Sequence, residues 1–475
     1  MHDPPISSPP PAETEPTAPT RATRSLLRRL HFYAGILVAP FVVVAAISGA
    51  LYALSPTLEN VVYERYLHTD STGTVRPLAE QVSSAVATRP DLTLSAVRPS
   101  SATGDTTRVL FDDPSLGESE RRAVFVDPVT ARPVGELVSY GSAAALPLRT
   151  WIDQFHRNLH LGEPGRIYSE LAASWLWVVA LGGLALWIGR YRRGNGRARL
   201  FGIDRAARGH QKTLGWHGAM GIWLVIGLVF LSATGLTWSR YAGDNVTELR
   251  SALHWTTPAV ATDLAGTETA EHATHDGHSG HTSAAAMTDT DAGARIAALD
   301  AVQRAADAAG VHDKVEITIP ASTDTAYTVT ETRQPWQLSP NSVSVDGRSH
   351  SVVDESWFAD WPLAAKLATW GIALHMGILF GLPSQIALFV LAIGLVAVIV
   401  RGYQMWWQRR PRNRSRPVGR APERGALRDI PVGVLAALVV LTVAIGWFVP
   451  LLGISLAAFL LVDLALGLRK RLSQR

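Results

Sequence analysis

HFYAGILVAPFVVVAAISG (His31 to Gly49) and HGAMGIWLVIGLVFLSATG (His217 to Gly235) are two copies of one unit. Each opens on a histidine, sets a glycine four positions later (Gly35, Gly221) and closes on a small hydroxyl residue followed by glycine. A second element repeats as PL-x10-LHxG, at Pro147 to Gly162 and at Pro362 to Gly377, so His160 and His375 hold equivalent places. The chain thus reads as an internal duplication with two histidines per copy at the edges of apolar helices. Ionisable groups are costly there, and are read as functional.

Apolar residues concentrate in six runs, roughly 32–54, 171–189, 214–238, 371–400, 431–449 and 451–468. A bilayer core takes about 20 apolar residues per helix. The first four runs are read as spans, and the last two as a hairpin turning near Pro450. The first run follows a Pro/Thr-rich tail and reads as an uncleaved anchor rather than a signal peptide. Arginines then assign the sides. Arg21, Arg24, Arg28 and Arg29 precede the first span, seven Arg and Lys212 fill Arg190 to Thr213, and nine Arg fill Arg401 to Arg428. With the terminal RKRLSQR these make up more than half of the 44 Lys and Arg residues, all on one side if every run spans. The expectation is a multi-pass cytoplasmic (inner) membrane protein with both termini cytoplasmic. Topogenic charge accounts for the basic pI, and no aromatic-basic module points to nucleic acid.

The predicted order is a disordered cytoplasmic tail (1–24), a first helix (25–55), an external domain (56–150), an outer histidine segment with the second helix (151–190) and a basic loop (191–213). The third helix follows (214–239), then a second external domain (240–365) with a disordered insert (262–295). The fourth helix (366–401), a basic linker (402–430), the hairpin (431–468) and a cytoplasmic tail (469–475) complete it. Both external segments carry α+β grammar. RRAVFVDPVTARPVGELV (Arg121 to Val138) reads as strand, Asp-Pro turn, strand, and NSVSVDGRSHSVV places a hairpin turn at Asp346-Gly347.

No cysteine occurs in the 475 residues, which excludes disulfides, iron–sulfur clusters, thiolate zinc sites and c-type haem attachment. The duplicated histidines instead suggest non-covalent b-type haem, two per chain. His31 and His217 open inward-to-outward helices and are expected at the cytoplasmic face. His160 and His375 precede outward-to-inward helices and are expected at the external face. His156 lies one turn before His160, on nearly the same face. Symmetry favours His160 because the repeat equivalent of His156 is Gly371, but either residue stands as the outer ligand. Arg149, Arg157 and Arg166 outside, and Arg28, Arg29 and Lys212 inside, are candidate propionate partners, although topology signals explain most of them. His210, two turns before His217, reads as a loop or propionate contact. HATHDGHSGH spaces His272, His275, His278 and His281 evenly in a polar segment, which reads either as a low-selectivity external metal site or as a compositionally biased disordered insert.

These segments resemble the PepSY-associated transmembrane family. The likeness lies in RxxHFYxG ending in SG, HRxLHLGxPG, LGWHG…TG and ALHMGxLFGLPSQ, and covers roughly 25–410. VFVDPVTARPVGEL is similar to the strand-turn of a PepSY domain, and 343–353 to a weaker second copy. The implied fold is a polytopic α-helical membrane protein: a four-helix haem-binding core, a C-terminal helical hairpin and two external α+β PepSY-like domains. The resemblance implies inner-membrane di-haem reductases of ferric siderophores, with His31 and His217 on one haem and His160 (or His156) with His375 on the other. No flavin module or GxGxxG loop is present, so the expected electron donor is quinol or a separate cytoplasmic reductase. The expected substrate is a ferric siderophore or another Fe(III) chelate, beside membrane lipid. The alternative is a haem-free sensor or scaffold whose external domains bind an envelope protein or peptide.

Overall fold

The computed structural model describes residues 18–193, 200–264, 289–410 and 432–472. In chain order it begins with α1 (Ala18–Leu37) and α2 (Ala39–Val62), then α3 (Glu64–Leu67) and α4 (Leu78–Thr88). Strands β1 (Thr93–Arg98), β2 (Thr107–Asp112), β3 (Glu120–Val126) and β4 (Pro133–Tyr140) follow. Next come α5 (Pro147–Asn158), α6 (Glu163–Tyr191), α7 (Gly209–Leu236), α8 (Tyr241–Ala252) and α9 (Asp289–Ala309). The second strand set is β5 (Val315–Thr318), β6 (Tyr327–Glu331), β7 (Ser342–Val345) and β8 (Val352–Ser356). The chain ends with α10 (Leu363–His375), α11 (Leu382–Gln408), α12 (Val432–Phe448) and α13 (Pro450–Leu472). Two compact units result: Met1–Val43 with Glu170–Ala242 and Gly394–Arg475, and Val44–Ser169 with Gly243–Ile393.

Among the described residues, α2, α6, α7 and α11 are long and apolar enough to cross a membrane. Two of them differ from the expected runs. The first apolar run is broken at Val38, because Pro40 lacks the amide hydrogen that would bond the Ile36 carbonyl one turn back. Bonds from Val38 N to Ala34 O (2.8 Å) and from Val42 N to Val38 O (3.1 Å) carry the chain across the break. The fourth run is divided by a turn in which Gly377 and Gly381 have φ +72° and +60°, a region that suits glycine. The predicted C-terminal hairpin is present as α12 and α13, joined at Val449, though both are shorter apolar stretches. A Cβ on Gly446 would stand 2.8 Å from the Gly453 Cα, so this hairpin closes on backbone contact.

The two expected α+β segments each pack one helix (α4, α9) against four strands, but they are not separate domains. Their strands join in one antiparallel sheet of order β4-β3-β2-β1-β5-β6-β7-β8. The junction pairs Ala96 with Thr318 and Val97 with Ile317. A single core fuses the copies: Val82, Val97, Val109 and Phe111 pack with Leu299, Val302, Ile317, Val329 and Val343. Alternate residues Ala96, Leu110, Ala123 and Phe125 fill the opposite face with Leu67 and Leu146, as the two-residue period of a strand requires. Two polar links cross the junction. Asp300 of α9 accepts the Leu78 and Ala79 amides (2.7 and 3.0 Å), capping α4 where Pro77 cannot. Glu316 accepts from Arg98 (2.6 Å) and Arg121 (3.1 Å).

Three local expectations are corrected. Residues 18–24 belong to α1 and 289–295 to α9, so neither stretch is disordered. The β7–β8 connection is not a two-residue turn. Val345 pairs with Val352 across a longer loop in which Asp346 takes the Arg348 amide (2.9 Å) and His350 adopts φ +57°. Gly347 is required there by close approach, since a Cβ would meet the Tyr327 ring at 2.5 Å.

Candidate functional site

In the first unit, His31 of α1 and His217 of α7 face each other with ring centres 6.2 Å apart and ring planes at 72°. His31 Nδ1 lies 3.0 Å from the Val179 carbonyl of α6. His217 Nδ1 lies 2.9 Å from the Val398 carbonyl of α11. A carbonyl only accepts, so each Nδ1 carries the proton and each Nε2 keeps a lone pair available to a metal. Four helices therefore fix one histidine pair in one tautomer.

Glycines around the pair divide into two kinds. Gly183 and Gly402 are seats: a Cβ would stand 2.9 Å from His31 Cε1 and 3.6 Å from His217 Cε1 respectively. Gly35 and Gly221, each one turn beyond its histidine, have open space wherever a Cβ would point. Two nitrogens bound to one metal at about 2 Å each, with ring centres about 1 Å behind them, put the centres about 6 Å apart. The observed separation fits. No group of three or more His, Cys, Asp or Glu suited to a metal ion occurs among the described residues. A pair with open flanks suits a metal whose other donors come with it, as porphyrin supplies.

The second unit holds the other pair. His156 sits near the end of α5, with Nδ1 2.8 Å from Ser48 Oγ of α2. Ser48 donates to Val44 O (2.8 Å), so its oxygen accepts from His156 and again leaves Nε2 free. Gly49 is the seat, 3.1 Å from His156 Cε1, and the Tyr52 ring lies nearly parallel at 6.4 Å. His375 closes α10 in the same unit. The turn behind it is tied down by Ser384 Oγ, which donates to Gly377 O (3.0 Å) and Gly381 O (2.8 Å). Thr57 Oγ1 donates to Gln385 (2.7 Å), joining α2 to the start of α11.

His160 is not in this pair. Leu159 and His160 both take positive φ (56° and 54°), which ends α5 two residues before the symmetric position. The exposed His160 ring lies against Trp151 (4.8 Å) and Phe155 (6.1 Å) instead. Of the arginines expected nearby, Arg157 donates to Tyr140 (2.8 Å) and Arg166 pairs with Glu163 (3.6 Å). Arg149 is buried beside Tyr52. Arg29 is also buried, whereas Arg28 and Lys212 are exposed. His210 is half-buried at the start of α7. His272, His275, His278 and His281 lie outside the described residues. Gly183 and Gly402 were not singled out from the sequence, and Ser48 and Gly49 were marked only as the small pair that closes the repeat, with no part in seating a histidine. Their signal is small residues within apolar helices, which ordinary helix packing produces equally.

A family model described as PepSY-associated TM region matches residues 28–409. Among curated proteins none matches the chain.

Proposed function

The chain belongs to the PepSY-associated TM region family, and from that premise we propose that it is a membrane electron-transfer protein carrying two b-type haems that reduces an external Fe(III) chelate. His31 and His217 hold one haem, and His156 and His375 the other. The observation that carries this reading is the pair at 6.2 Å with both Nδ1 atoms committed to carbonyls and open space over Gly35 and Gly221. Bound haem supplies one-electron redox chemistry. Everything else falls to the chain: imidazoles set the ligand field, carbonyls and Ser48 fix the tautomers, and apolar helices exclude water.

In this reading the arginine-rich loops are cytoplasmic and the sheet is outside. With haem bound, His31 and His217 would hold the centre that takes electrons from quinol or a separate reductase, and His156 and His375 the one that would pass them to the chelate. Hard oxygen donors hold Fe(III) more tightly than Fe(II), so one-electron reduction of a ferric siderophore releases its metal. No residue need act as acid or nucleophile. The test uses proteoliposomes enclosing a membrane-impermeant reductant, with a ferric chelate and a ferrous-iron indicator outside. Protein-dependent colour, abolished by His31→Ala, is expected. Haem-loaded protein that reduces no external chelate would overturn the reductase assignment.

A further inference from the structure

Arg149 is a buried cation with two unpaired nitrogens. It is 5% exposed, and neither its Nε nor its Nη2 has a hydrogen-bond partner. It stands on α5 seven residues before His156, hence on the same helical face and about 10 Å along the axis. Its guanidinium lies 5.7 Å from the centre of the Tyr52 ring, the same ring that stacks on His156. The nearby carboxylate of Glu59 does not serve it. Glu59 Oε2 accepts the Leu146 amide (2.7 Å) at the start of α5. Glu59 and Asp153 thus offset the charge of Arg149 and the Tyr52 hydroxyl takes one of its donors, while Nε and Nη2 stay unpaired. Burying a guanidinium with idle donors carries a desolvation penalty that nothing repays. A planar fork of this kind matches a carboxylate in two parallel bonds.

We propose that the free nitrogens of Arg149 hold a carboxylate of the group bound between His156 and His375, namely a haem propionate. This rests on the haem reading above. A propionate is favoured over a carboxylate of the incoming chelate because so deeply buried a side chain is out of reach of a ligand from solution. The distance along α5 is also of the order separating a porphyrin's centre from its carboxylates.

The experiment uses full-length chain in a His217→Ala background, which retains only the His156–His375 centre. Protein made under haem limitation is titrated with haem and, separately, with haem dimethyl ester, following the Soret band. Arg149→Gln should weaken haem binding by about tenfold or more, the loss of a charge-assisted bond. With the dimethyl ester, Arg149→Gln and its parent should bind equally, because no carboxylate remains to be held. Equal weakening for haem and ester would overturn the proposal in favour of a structural role. Unchanged haem binding with loss of affinity for ferric citrate would overturn it in favour of a chelate contact. Uptake of no haem by wild-type protein would instead overturn the haem reading, and this inference with it.

Discussion

A metal-ligating histidine almost always gives its other ring N–H to a partner, and the histidines proposed as ligands here meet that need in two ways. His31 and His217 give their Nδ1 protons to main-chain carbonyls, which no side-chain substitution removes. His156 gives its proton to the Ser48 hydroxyl. Ser48→Ala should therefore loosen the His156 centre selectively, by about tenfold in affinity. The loss sits at the lower end of the range because the Ala45 carbonyl is also within reach of the ring. Haem transfer to excess apomyoglobin measures it: one of two haems should leave faster, and two unchanged rates would contradict the assignment. His31, His217 and His375 were legible as repeated positions, and the choice between His156 and His160 was not. It turns on Leu159 and His160 entering the left-handed region, although neither is a glycine, so no residue type announced where α5 stops.

At the scale of elements, hydropathy located the apolar helices and missed their breaks. A window average cannot see that Pro40 interrupts a run, or that Gly377 and Gly381 turn the chain after His375. Strand alternation was legible in both α+β segments, but pairing between them depends on contacts more than two hundred residues apart, which no local pattern encodes. The junction carries its own prediction. Burial pushes the Glu316 carboxyl up, but the Arg98 and Arg121 guanidiniums beside it hold it down at about 2. A carboxylate lowered on folding stabilises the sheet above its ordinary value of 4.5 and loses that contribution as pH falls toward 2. The linkage amounts to about 3 kcal/mol at neutral pH. Glu316→Gln should accelerate hydrogen exchange across β1 and β5 at pH 7, with the difference from wild type shrinking between pH 4.5 and 2. A pH-independent difference would show that packing, not charge, joins the copies there.

Across the whole molecule, duplication acts twice. It fuses two α+β segments into one sheet around one core, and it places His31 and His217 in one compact unit and His156 and His375 in the other. Sequence symmetry made the duplication visible through histidines at matching places. It does not extend to the surroundings of His160, whose ring lies against Trp151 and Phe155. The measurement bearing most directly on the central claim is haem quantification with dithionite-reduced spectra on detergent-purified protein. Two haems per chain are predicted for wild type and for His160→Ala, and one each for His31→Ala, His217→Ala, His156→Ala and His375→Ala. Loss should fall on the same centre within each pair. A folded, colourless wild-type protein, or four variants with wild-type spectra, would contradict the account and favour the haem-free scaffold.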